Sequence, residues 1–470
     1  MLEKNDMTVT ATEASRVALR DEDGAIRSDY VARVVAAIGA ADVKTLHDLV
    51  GAVHEADVGA LLERLESEDR TKLIELMGPD FDFTALVEVD DTVREEILEE
   101  LPAETVAEGV RELDSDDAVY ILEDLPSDER AEILEQLPSI ERVALARSLD
   151  YPEGSAGRRM QTEFIAVQPT WTVGHTIDYL RATEELPDRF YEVYVVGPAQ
   201  QLLGAVALDQ LLRTKRPVPV AELMNPDHRK VGAGEDQNEV ARMFERYNLV
   251  AAPVVDTQDR LVGVLTVDDI VDVIEEKADE EIKALGGVGD EELSDSVWII
   301  ARSRFNWLLV NLATAFLASS VLGLFEGQLQ KMVALAVLAP IVASQGGNAA
   351  TQTMTVAVRA LATRELGSNN AFRVVLREAM VGLVNGLAFA VITGVVASFW
   401  FKLPDLGVVI GLAMMCNLFA AALGGILIPL ALDRFRADPA VSSGVFVTTV
   451  TDVVGFFSFL GIATLWFGLR

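Results

Sequence analysis

Cysteine is nearly absent: Cys416, in an apolar run, is the only one in 470 residues. An intrachain disulfide is therefore excluded, and nothing marks an oxidising compartment. Histidine is scarce too, and His47, His54, His175 and His228 form no H-E-x-x-H or other close-spaced metal pair. No G-x-S-x-G elbow offers a nucleophile, and no lysine follows a glycine, which rules out a Walker phosphate loop. These absences argue against an enzyme. Positive charge is lacking in the front part: up to Val297 there are 67 Asp and Glu against 28 Lys and Arg, a net of −39, whereas from Trp298 onward there are 7 against 11, a net of +4. An acidic surface of that density repels nucleic acid and anionic lipid and attracts multivalent cations. The opening MLEKNDMTVTATEASR has no apolar core of signal-peptide length, so the front part is expected to stay in the cytosol.

The back part is built of apolar stretches at 308–325, 332–361, 380–401, 408–432 and 441–469. A bilayer core takes about 20 helical residues, so each stretch spans once. Arginines set the orientation: Arg302 and Arg304 precede the first span, Arg359, Arg364, Arg373 and Arg377 surround the second connection, and Arg434 and Arg436 lie in the fourth. The positive-inside bias then puts the N-terminal half in the cytosol of a multi-pass cell (inner) membrane protein and the C-terminus outside. Pro340 and the Ser344-Gln345-Gly346-Gly347-Asn348 run predict an interrupted second span, which is tolerated at membrane depth only in protein or beside water. Asp452 is the only acidic residue well inside a span. A carboxylate there is costly and marks an ion path or a proton relay. No Lys, Arg or His lies well inside a span to pair with it, which favours a cation as partner. Asn311, Asn385 and Asn417, in other spans, either add oxygen ligands or bond between helices.

In the front part, Ile97-Leu98-Glu99-Glu100-Leu101-Pro102 returns as Ile121-Leu122-Glu123-Asp124-Leu125-Pro126 and as Ile133-Leu134-Glu135-Gln136-Leu137-Pro138. A period of this kind predicts a superhelix of short helices over 30–150, each burying its Ile/Leu edge and ending at proline. From 151 to 276 the pattern changes to short strands between helices, in two similar halves, 151–220 and 221–276. Each carries a V-V strand and a Leu-x-Gly turn, Leu203-Gly204 in the first half and Leu261-Val262-Gly263 in the second. These halves resemble a tandem pair of cystathionine-beta-synthase-type (CBS) domains. Such pairs sense ligands, often adenosine nucleotides, and commonly dimerise.

The order of parts, a flexible 1–29, the helical domain, the CBS pair, an acidic connecting helix at 277–300 and a five-helix domain at 301–470, resembles the MgtE family of Mg2+ channels. The resemblance is most specific from Pro340 through Gly346-Gly347-Asn348-Ala349-Ala350-Thr351-Gln352, at Val358-Arg359-Ala360-Leu361-Ala362-Thr363, and from Asp438-Pro439-Ala440 into Thr448 through Gly455. The fold class expected is thus multidomain: an all-α front domain, an α/β CBS pair and an α-helical membrane domain. The resemblance implies a homodimer whose interface is the pore, importing Mg2+ down its electrochemical gradient, with the ion site at Asp452 and with Asn348 and Gln352 nearby. It also implies closure by cytosolic Mg2+ held on acids that glue the domains together. Spacings of three and four place Asp269, Asp272, Glu276 and Glu280 on one stripe. By position, Asp116, Asp236 and Glu245, with Asp438 before the fifth span, are their counterparts. Other divalent cations and an adenosine nucleotide are further expected ligands. The alternative is a proton- or sodium-coupled transporter of divalent cations with Asp452 as its relay.

Overall fold

A computed structural model describes residues 19–22, 24–123, 125–183, 186–187, 189–289, 291, 296–367, 370–436 and 439–469. The chain divides into two compact units, Met1–Lys277 and Ala278–Arg470.

The first unit opens with a run of short α-helices from Ser28–Gly39 to Ser139–Leu149. The repeated proline is as much a beginning as an end. Pro102, Pro126 and Pro138 each take the N-cap position of the next helix, and Leu101 and Leu137 close the helices before the first and last of them. Proline fits there because its fixed φ suits an extended cap and its missing N–H has no intrahelical partner to lose. Ile97, Leu98, Leu101, Ile121, Leu122, Leu125, Ile133 and Leu137 all enter one core. Burying each such side chain is worth about 1.5–3 kcal/mol, which lets helices too short to persist alone hold together.

Two three-stranded sheets follow. In the first, β1 (Ala166–Val167) pairs parallel with β2 (Glu192–Val196), which pairs antiparallel with β3 (Leu202–Ala207). In the second, β4 (Val231–Gly232), β5 (Ala251–Val255) and β6 (Leu261–Thr266) repeat that order and those directions, down to a register shift at the end of the middle strand. Tyr194, Val196 and Ala205 of the first half share a core with Ala251, Leu261 and Val264 of the second. The segment leading into the first half does not join it. Ala156 N and Gly157 N donate to the carbonyls of Glu235 and Ala233 at 2.8 Å each, Gln161 bridges to Val264, and Ala156 and Met160 enter the core of the second half. The unit ends in the helix Val267–Leu285, whose last residues begin the second unit.

Among the described residues, the second unit has five helices long and apolar enough to cross a membrane: Val297–Gly323, Val333–Ala362, Ala371–Phe401, Pro404–Arg434 and the 24 residues Gly444–Phe467. The expected interruption of the second does not occur. It runs unbroken over Val333–Ala362 with Pro340 inside it. Proline removes one backbone donor, which neighbouring helices make up at membrane depth, and the glycines of the run are places where other helices approach rather than breaks. The fourth helix is the hub, 61% of its apolar window being buried against 6% for the first. Small residues allow this: a methyl at Gly382 would lie 2.7 Å from Ala422 Cβ, and one at Gly394 would lie 2.8 Å from the carbonyl of Gly407.

Candidate ion path and acidic interface

In the second unit Asp452 is half-buried in the helix Pro439–Phe467. The second and fifth helices meet beside it, since a methyl at Gly347 would be 3.9 Å from the Oγ1 of Thr451. Asn348 and Gln352 are exposed on the second helix, four residues apart and so on one face. Of the three span asparagines, Asn311 and Asn385 are exposed, whereas Asn417 is buried and donates through Nδ2 to the Val342 carbonyl at 2.8 Å. Asp438 lies outside the described residues.

In the first unit a second carboxylate group forms where the helical domain meets the CBS pair. The helix Ser115–Glu123 brings Asp116 and Asp117 within electrostatic reach of Asp269 on the helix Val267–Leu285. The T-x-x-D run from Thr266 to Asp269 holds one side in place: the Asp269 carboxylate accepts from Thr266 N at 3.1 Å and from its hydroxyl at 2.8 Å, a helix-capping arrangement. Burial, then the Asp269 charge, pushes Asp116 well above the ordinary carboxylate range. Asp117 is raised to about 7 by burial and by Asp269, Asp114, Asp268 and Asp272. Asp269 is raised to about 6 by burial, against the Thr266 hydrogen bonds. Asp272 rises through burial and Glu88, and Glu276 through burial, opposed by Arg159. Such shifts mean that the charged forms are held together at a cost.

Beside this acidic half lies a basic one that pattern reading does not reveal. Arg158 donates through Nε to Glu123 at 2.8 Å, and Arg159 pairs with Glu276 at 3.1 Å. Arg94, itself buried, pairs with Asp91 at 2.5 Å, and the guanidinium groups of Arg94 and Arg159 lie 4.5 and 5.1 Å from the ring centre of Tyr120. Asp236 and Glu245 do not enter the group. Asp236 caps the helix Gln237–Tyr247, accepting from Asn238 N at 3.0 Å and Glu239 N at 3.3 Å, and Glu245 is exposed on that helix. Glu280 is exposed on the final helix of the stripe. Among the described residues no three His, Cys, Asp or Glu stand close enough to hold a metal ion directly.

Comparison with known proteins gives the class first. Residues 339–462 match the family profile described as a divalent cation transporter, 53–154 match an intracellular N domain of the same family, and 220–276 match the CBS domain. The chain is 33% identical over 421 residues to the magnesium transporter MgtE of Enterococcus faecalis, covering 89% of this chain and 93% of that one. It is 37% identical over 329 residues to the protein of the same name from Thermus thermophilus, covering 68% and 71%. A solved cytosolic domain of the Mg2+ channel MgtE in complex with ATP aligns with 52% of this chain and 99% of its own, at 29% identity and a TM-score of 0.48. The chain belongs to the MgtE family.

Proposed function

We propose that this protein admits Mg2+ to the cell down its electrochemical gradient, past Asp452, and that the acidic interface of the first unit senses cytosolic Mg2+ and closes the path. The observation that carries the transport reading is the half-buried carboxylate of Asp452 beside the contact of the second and fifth helices, in spans whose basic residues, Arg302, Arg304, Arg359, Arg373, Arg377 and Arg434, lie towards the helix ends. Mg2+ gives up water reluctantly and is usually held by one or two carboxylates through retained waters. One Asp is a weak site; a two-fold dimer supplies two Asp452 on its axis. Entry of a divalent ion gains about 4.6 kcal/mol per 100 mV from the membrane potential, at about 2.3 per charge.

The sensing reading rests on the repulsion among Asp116, Asp117 and Asp269. Oxygen-only donors suit a hard cation, and contact through retained water needs no tight ligand set. Asp272, Glu276 and Glu280 extend the acidic stripe, and Asp236, Glu245 and Asp438 remain counterparts by position. An adenosine nucleotide at the CBS pair is proposed from the likeness to CBS domains alone, since the cleft between the halves, lined by Phe164, Arg189 and Tyr191 but also by Glu163 and Glu192, is too small for one in this structure.

The deciding measurement is Mg2+ influx into proteoliposomes at fixed potential, with Asp452→Asn compared with the unaltered protein at matched dimer content. Loss of influx in the variant supports the site. Near-normal influx sinks it, and uptake that vanishes with the pH gradient would favour proton coupling instead.

A further inference from the structure

Asn417 stands near the middle of the fourth span and is wholly buried. The bond from its Nδ2 to the Val342 carbonyl fixes the orientation of the amide, because turning it round would set two oxygens face to face. Its Oδ1 is buried and meets no donor among the described residues. Two glycines make room for it. A methyl at Gly346 would overlap the amide, and one at Gly455 would lie 2.8 Å from Nδ2. Three helices therefore converge on one side chain. The level of that meeting is telling: Gly346 is two residues from Asn348, and Gly455 is three residues beyond Asp452, on the same face of its helix. An apolar side chain of similar size would suit the surroundings and leave no oxygen without a donor. Packing alone does not account for asparagine here.

We infer that Asn417 is a positioning residue of the ion path. It bonds to the second span at Val342 and packs against Gly346 there and Gly455 of the fifth, and so sets the spacing of the oxygens that meet a hydrated divalent ion. This inference rests on the reading of Asp452 as the ion site. Mg2+ demands near-ideal octahedral geometry, whereas Ca2+ accepts a looser and more variable shell. Slackening the tie should therefore cost discrimination before it costs flux.

The test uses the full-length protein in liposomes at fixed potential, with influx measured over a range of Mg2+ and in competition with Ca2+. Asn417→Leu should raise the half-saturating Mg2+ about tenfold, the equivalent of one buried hydrogen bond. It should also erode the preference for Mg2+ over Ca2+, while maximal flux falls less. Gly455→Ala, which puts a methyl 2.8 Å from Nδ2, should give the same shift. Half-saturation and ion preference unchanged in Asn417→Leu, while Asp452→Asn is inactive, overturns the positioning role and spares the ion site. Normal influx in Asp452→Asn overturns the ion site itself. If Asn417→Leu does not insert folded, Gly455→Ala decides: unchanged half-saturation and ion preference in that variant overturns the inference.

Discussion

At the scale of single residues, the chain is read best where a side chain is out of place. Asp452 stood out because an acid in an apolar run has few explanations. Arg158 and Arg159 did not, because their meaning lies in partners far along the chain, Glu123 and Glu276, 35 and 117 residues away. Gly157, in the Gly-Arg-Arg-Met sequence at 157–160, stands where no side chain fits. A methyl on Gly157 would lie 2.7 Å from the Tyr151 ring and 2.8 Å from the Ala233 carbonyl. Backbone does not yield as a flexible side chain would, so Gly157→Ala should destabilise the CBS pair by about 1–3 kcal/mol, the usual range for overpacking. Thermal unfolding of the full chain in detergent checks this, and an unchanged midpoint for the cytosolic transition would contradict it.

At the scale of elements, the proline-punctuated repeat, the two sheets and the five spans were all legible, since each rests on periodicity or length. The contact between the helix Ser115–Glu123 and the helix Val267–Leu285 was legible only as charge. Its tightness came from tertiary placement, and this has a consequence for pH. Asp117 and Asp269 have pKa values raised to about 7 and about 6 from 3.8 in the docked arrangement, so the docked form binds protons more strongly than the separated one. Docking is then fully favoured below the separated value and weakens as pH rises through 6 and 7. In chelator, the cytosolic unit should be more compact at pH 5.5 than at pH 8, and added Mg2+ should compact it further mainly at pH 8. Energy transfer between a label on the helical domain and one on the CBS pair reports the change. Equal transfer at both values would show that these carboxylates do not govern the contact.

At the scale of the whole molecule, the buried residues from Ile26 to Leu145 form a core of their own, so removing 1–150 opens none of the CBS or membrane cores. Such a truncation should keep Mg2+ influx and lose most of its closure at millimolar internal Mg2+; a correctly inserted truncation with no influx would contradict this. Limited proteolysis between 276 and 297 should likewise slow as Mg2+ rises, and equal cleavage with and without Mg2+ would reject the sensing role. Domain order was plain from composition, but the route of the chain was not. The 155–161 segment hydrogen-bonds to the second CBS half before the first half has begun. In mechanical terms, the helical domain reaches the helix Val267–Leu285 by parallel routes, through the 155–161 segment and the second half and directly across Asp116, Asp117 and Asp269. The first half is tied in as well, because Ser115 bonds Glu163 and Thr162 just before β1 and because β2 and β3 share a core with the second half, so anything bound there braces the linkage, stiffening or slackening it.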